Sequence, residues 1–263
     1  MQSLLNQSYE NIEIVIINDN STDNTESYIK SIKNNKIKYF SIKEQIGLAK
    51  LRNYGIKNSN GKYIFFTDSD CIATKNWIQE GINIFKEKKF LAIEGKTIAE
   101  NQNYGLSDHV VENFQGGTYQ TCNIAYEKNA LLELNMFDKR YSLAYEDIDL
   151  ALRFKEKYEI FFSKDMLILH QIVPWTISGL IKNALRGKYK VMLIKDHQDH
   201  NILKYRILEI NSLIQIIFPF LMLLYFRIKK PRDVLFLPLL YIRAVVHRII
   251  IWKSSITQKI LIF

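Results

Sequence analysis

Two acidic residues one position apart close the stretch YIFFTDSD, residues 63–70. Five residues suited to a buried strand lead into Asp68 and Asp70. Like charges that close repel, and a strand could end on Gly or Asn instead. The pair becomes useful if a divalent cation stands between it and a polyphosphate. Mg2+ and Mn2+ take hard oxygen ligands, often one or two protein carboxylates plus phosphate oxygens, and can stabilise a departing diphosphate. A D-x-D pair alone is a weak signal, common in solvated loops; its place after a buried strand raises its weight. A second constellation, Glu146-Asp147-Ile148-Asp149, crowds the start of a helix expected over 146–157. Acids there suit the helix dipole, and a well-placed carboxylate is a general base for a hydroxyl nucleophile. A calcium loop is excluded. From Asp19 the EF-hand template asks for Gly at its sixth position and Glu at its twelfth, and the chain has Asn24 and Lys30; from Asp68 the fifth position is Ile72.

These acids need elements to position them. The apolar run IEIVII (12–17) reads as a strand and leads into Asn18-Asp19-Asn20-Ser21. Ser21 or Thr22 can cap a helix running to about residue 33. Further strands are expected over 37–41, 63–67 and 91–94, with helices over 48–56 and 76–88 between them. This is the βαβ rhythm of a mostly parallel sheet. Ligands of such sheets bind outside the carboxyl ends of the strands, where the acids after residues 17 and 67 fall. Beyond residue 96 the pattern is less regular. A turn is expected at Gly116-Gly117-Thr118, a short strand over 120–126, and two more over 160–162 and 167–169, the last ending at His170.

The chain has 263 residues, 48% hydrophobic, enough for a sizeable core and against disorder. Its two cysteines, Cys71 and Cys122, lack metal-type spacing and point to a reduced, cytosolic setting. The N-terminus lacks the basic and long apolar segments of a secretory signal. Residues 1–150 carry 17 Lys and Arg against 20 Asp and Glu, a net −3. Residues 151–263 carry 19 against 7, a net +12. A basic, apolar C-terminal part favours an anionic membrane surface as partner. No zinc finger or aromatic-and-basic RNA motif is visible, so no nucleic acid is expected. Residues 213–226 are nearly all apolar. Residues 234–252 are again apolar but contain Arg243, His247 and Arg248. A span needs about 20 apolar residues, so a membrane-embedded hairpin or an interfacial helix pair is expected.

Four stretches occur in an order and spacing that resembles family 2 glycosyltransferases: NIEIVIINDNSTDNT (11–25), GLAKLRNYGIKNSNGKYIFFTDSD (47–70), CNIAYEKNALLELNMFD (122–138) and YEDIDLALRF (145–154). The resemblance covers about residues 3–190. It implies an inverting enzyme of the GT-A fold, an α/β Rossmann-like sheet with flanking helices, followed by apolar membrane-associated helices. The implied domains are a catalytic one over 1–175 and a basic, apolar helical region over 176–263. By resemblance, Asp19 contacts the nucleotide base, and Arg52 lies near the diphosphate. Asp68 contacts ribose or metal, Asp70 and His170 the metal. Asp147 is the catalytic base, and Glu146 lies near the acceptor. Cys71 stands where a third acid is often found. The implied donor is a nucleotide-diphosphate sugar, the cofactor Mg2+ or Mn2+, and the acceptor a glycan or lipid-linked molecule at the cytoplasmic face of the cell membrane. Family members usually begin with a strand of the type VSVIIPTYN, whereas this chain starts at the later SLLNQ stretch (3–7). The first strand is therefore expected to be absent, leaving unpaired sheet edges. Two rival readings remain open: a truncated, inactive homologue acting as a binding or membrane scaffold protein, and a different α/β nucleotide enzyme such as a nucleotidyltransferase.

Overall fold

The apolar run before Asp19 forms strand β1 (Ile14–Asp19), which pairs in parallel with β2 (Ile37–Ile42). Helix α2 (Thr25–Ser31) makes the crossover. It starts later than expected because the Ser21 amide donates to Asn18 Oδ1, holding residues 18–21 in a turn. A short first helix, α1 (Gln2–Leu5), precedes β1. After β2 come α3 (Leu48–Asn58), β3 (Tyr63–Phe66), β4 (Cys71–Ala73), α4 (Trp77–Glu87) and β5 (Ala92–Ala99). The chain continues through β6 (Asp108–His109), β7 (Ile124–Glu127), α5 (Lys128–Glu133), α6 (Glu146–Lys155) and β8 (Ile160–His170). Strand β9 (Val173–Pro174), α7 (Ile177–Leu185), α8 (Gly187–Asp196) and α9 (Pro231–Gln258) follow. This computed structural model describes residues 1–198, 216 and 228–260. The apolar segment expected over 213–226 lies, but for residue 216, outside the described residues.

Contacts divide the chain into two units: Met1–Ile98 with Glu112–His170, and Ala99–Val111 with Gln171–Phe263. In the first, a five-stranded sheet has the order β3-β7-β5-β8-β4. Its pairs β3·β7, β5·β7 and β4·β8 are antiparallel, and the expected parallel pairing is held by β1 and β2, which form a separate two-stranded sheet. Periodicity reports which residues are buried and is silent on strand direction, which depends on long-range pairing. The two short strands expected over 160–169 are one, β8, whose alternating burial runs through to His170. No ladder joins β1 to β3 among the described residues. Instead the Glu13 carboxylate, just before β1, accepts from the amides of Asn60 and Gly61, just before β3.

The core of this unit gathers Ile56, Ile124, Tyr126, Leu131, Phe137, Leu150 and Phe154 between α3, the sheet and α6. The SLLNQ stretch ties in through Gln7: its side chain donates to the carbonyls of Ser3 and Thr74, both at 2.8 Å, and accepts from the Ile78 amide in the first turn of α4. Both cysteines are free and buried.

The second unit is built on α7, α8 and α9. Leu180 and Leu240 join α7 to α9, and Val191, Ile194 and Ile251 join α8 to α9. Helix α9 is long and apolar enough to cross a membrane. Arg243, near its middle, donates to Asn183 Oδ1 at 2.9 Å. At its start Asp233 is fully buried and accepts from the amides of Lys229, Lys230 and Ser107 and from the Ser107 hydroxyl. Replacing Asp233 by Ala leaves these donors without an acceptor, and we expect a loss of about 2 kcal/mol of stability. Urea unfolding followed by tryptophan fluorescence checks this, since Trp175 and Trp252 both lie in this unit.

Candidate active site

The centre of the site is Arg52, and the fold fixes it from both sides. At the start of α3, Gly47 adopts φ +89°, and a Cβ there would lie 2.9 Å from the Ser142 carbonyl. Only glycine suits both demands, and the Leu48 amide donates to that same carbonyl at 3.0 Å. One residue past Arg52, Asn53 makes a reciprocal pair with Phe137: its Nδ2 donates to the carbonyl at 2.8 Å and its Oδ1 accepts the amide at 2.9 Å. Thus held, the Arg52 guanidinium lies 5.8 Å from the Phe137 ring centre. It pairs with Glu146 Oε1 and sits 3.8 Å from Asp68 Oδ1. Asn53 is a positioning residue that the sequence reading missed. Its signal was a polar residue on the buried side of the helix.

The three acids opening α6 have separate surroundings. Tyr145, at φ +68°, turns the chain into the helix. Asp149 pairs with Arg153 at 2.7 Å, and Arg153 also donates to the carbonyls of Leu134 and Met136. Asp149 is thus committed to holding α6 in place. Glu146 is buried, and its second oxygen, Oε2, has no hydrogen-bond partner. Asp147 is half-buried, and the Ile148 amide donates to its Oδ1 at 2.9 Å. Burial pushes its carboxyl up to about 7, with help from neighbouring Glu146, while Arg52 and the amides of Ile148 and Thr121 pull the other way.

A second cluster forms where β4 meets β8. Their antiparallel register sets Cys71 opposite His170, and buried His170 Nε2 lies 3.6 Å from Asp70 Oδ2. Asp70, Cys71 and His170 offer ligand atoms all within 4.8 Å of one another. The carboxylate and the imidazole suit a divalent cation, while the thiol beside them is a softer ligand of the kind Zn2+ takes and hard cations such as Mg2+ and Mn2+ do not favour. Asp68 stands outside this trio but feels it. Loss of surrounding water raises its carboxyl, Arg52 lowers it, and Asp70 raises it again; its side chain is 45% exposed, so water tempers the push. The expected ligands Asp70 and His170 come together, and Cys71 joins them.

Asp19 ends β1 and has a buried Oδ1 without a hydrogen-bond partner. The Glu13 link sets the starts of β1 and β3 side by side. Beside Asp19, Asn18 donates to the Tyr39 hydroxyl at 2.8 Å. The Gly116-Gly117-Thr118 turn is organised by a residue that the sequence did not flag. Buried Glu94 on β5 accepts from the amides of Gly117, Thr118 and Tyr119 and from Asn113 Nδ2. Its acidity inside a buried strand was the available signal.

This arrangement belongs with a known class. The family model described as glycosyl transferase family 2 matches residues 1–159, and the chain belongs to that family. The Staphylococcus aureus poly-beta-1,6-N-acetyl-D-glucosamine synthase is 26% identical over 86% of this chain and 60% of its own length. The Bacillus subtilis minor teichoic acid biosynthesis protein GgaB is 27% identical over 60% of this chain and 20% of its own. This chain thus spans a fifth to three fifths of those two curated relatives. Among solved structures, the mannosyltransferase PcManGT from Pyrobaculum calidifontis, in complex with GDP-Man and Mn2+, superposes with a TM-score of 0.58 at 14% identity, covering 97% of this chain and 68% of its own. That likeness supports the GT-A fold.

The raised Asp147 carboxyl has a consequence for stability. Between about pH 4, where the unfolded side chain ionises, and about pH 7, the folded state holds a proton that the unfolded state has lost. Asp147 therefore costs stability progressively as pH rises through that window. Asp147→Asn removes the cost, so the variant's melting temperature relative to the parent should climb from pH 5 to pH 8, as read by calorimetry.

Proposed function

We propose that this protein transfers a sugar from a nucleotide-diphosphate sugar to an acceptor hydroxyl, with inversion at the anomeric carbon, in cell-envelope polysaccharide or glycolipid synthesis. The observation that carries the reading is Arg52, one cation meeting carboxylates from two distant segments, Glu146 and Asp68. Unpartnered oxygens of Glu146 and Asp19 stand ready for ligand donors. Asp19 at the end of β1 accepts from the nucleotide base, and Asp68 from the ribose. Arg52 bears on the diphosphate, offsetting its charge, and Glu146 orients the acceptor hydroxyl. Asp70 and His170, with Cys71 beside them, would hold a divalent cation, which when bound supplies Lewis-acid stabilisation of the departing diphosphate. Asp147 takes the acceptor proton. The acceptor oxygen forms its bond to the anomeric carbon from the face opposite the leaving oxygen, whose bond breaks with the electron pair staying on the diphosphate. A carboxyl with its titration near neutrality suits this duty, and the fixed positions of Arg52 and Asp147 supply orientation without reorganisation.

A membrane surface as partner is supported by the second unit. Leu235, Ile242, Ile249 and Ile256 recur every seventh position of α9 and are exposed, as are Ile177, Ile181 and Leu185 on α7. Such apolar stripes beside a basic composition suit an anionic bilayer. A glycan or lipid-linked acceptor on the cytoplasmic face of the cell membrane follows from that reading.

Sugar release or transfer from a panel of UDP and GDP sugars tests the proposal. With Mn2+ present, the parent should turn over at least one donor, and chelation should abolish turnover. Asp147→Asn and Asp70→Ala should each lose about a hundredfold or more in kcat. The acid limb of kcat/KM should rise through about pH 7, because Asp147 must lose its proton before it can accept one. Equal turnover in parent and both variants would remove the assigned roles. A parent that binds nucleotide but turns over none of the donors would favour the scaffold reading.

A further inference from the structure

A buried charge in the second unit lies outside the sugar-transfer reading. Arg248, in the C-terminal half of α9, is 1% exposed. Its Nε, Nη1 and Nη2 all lack a hydrogen-bond partner, and no acid acts on it among the described residues. Trp252, one turn on, lies 5.1 Å from the guanidinium carbon. A ring face steadies a cation but offers it no acceptor. Buried guanidinium groups are costly unless paired and hydrogen-bonded.

The surroundings add positive charge. Lys190 on α8 is half-buried and close enough to feel Arg248, and His247 feels both as well as Arg243. The helices approach closely at this point. At Gly187 a Cβ would lie 3.0 Å from Ile251 Cγ1 and 3.1 Å from His247 Cε1. Val191 and Ile194 pack on Ile251 one turn further on. His247 Nδ1 lies 2.9 Å from the Ala184 carbonyl, to which it donates, so Nε2 is the ring's remaining polar atom.

We propose that Lys190, His247 and Arg248 form a phosphate-binding site. The planar guanidinium matches two phosphate oxygens at once, and a lysine ammonium adds a further charge. Two sources carry that chemistry: the headgroup of an anionic phospholipid and free inorganic phosphate. The site stands whether or not sugar transfer does.

The test uses the full chain, purified in detergent, at constant ionic strength. Its thermal unfolding is followed with sodium phosphate or sodium chloride, for the parent, Arg248→Met, Arg248→Lys and Lys190→Gln. Retention on phosphatidylcholine vesicles is compared with and without phosphatidic acid. Without phosphate, Arg248→Met should melt above the parent, because an unpaired buried charge is gone. Phosphate should raise the melting temperature of the parent, less that of Arg248→Lys and Lys190→Gln, and leave Arg248→Met unmoved. That pattern assigns free phosphate. If inorganic phosphate shifts nothing while phosphatidic acid retains the parent about tenfold better than Arg248→Lys and Lys190→Gln, the site takes a lipid headgroup. Should Arg248→Met fail to fold, the Lys and Gln variants carry the comparison alone. Equal responses of parent and variants to both phosphate and phosphatidic acid would overturn the proposal.

Discussion

Glu146 and Arg52 stand 94 positions apart in the chain and meet in a largely buried pair. Much of the first unit serves that meeting. Carboxylates crowded around one point repel, and they lose the water that would screen them; a central cation makes the crowding tolerable. Gly47 lets the chain approach Ser142, and Asn53 grips Phe137. Arg153 anchors the start of α6 through Asp149 and two carbonyls. These contacts hold the elements that carry Arg52 and Glu146.

The same pairing tunes its neighbours in opposite senses. Asp147 sits beside Glu146, whose charge raises it, and near Arg52, whose charge restrains the rise. Asp68 receives the same two influences from the other side. Asp147 and Asp68 thus both feel one guanidinium, and backbone amides act on Asp147 as well. A site built this way responds strongly to anything that brings added charge.

The acids and the order of the elements were legible in the sequence. The alternation of apolar runs with amphipathic stretches located β1, β2, β3, α3 and α4 to within a few residues, because local periodicity records which side chains face a core. It could not tell that β8 is one continuous strand or that the sheet around β7 is antiparallel. Residue types and spacing alone did not separate Asp147 from Asp149, which only the family resemblance distinguished. They differ because helix geometry turns Asp149 toward Arg153, four positions on, and leaves Asp147 on the side of Glu146 and Arg52.

By itself, then, the sequence determined the class of protein, its family and the set of acids available for chemistry, since these rest on residue types and spacings along the chain. The tertiary structure alone decided which of them meet. His170 joins Asp70 and Cys71 through a strand register, and Asn53 and Glu94 hold loops whose positions no local pattern encodes. Arg248 reads in the sequence as one more basic residue on an apolar helix. In the tertiary structure it is buried with no acceptor among the described residues. The physical reason is common to all three cases: burial and pairing depend on partners far away in the chain, and the free energy of a charge is set by those partners.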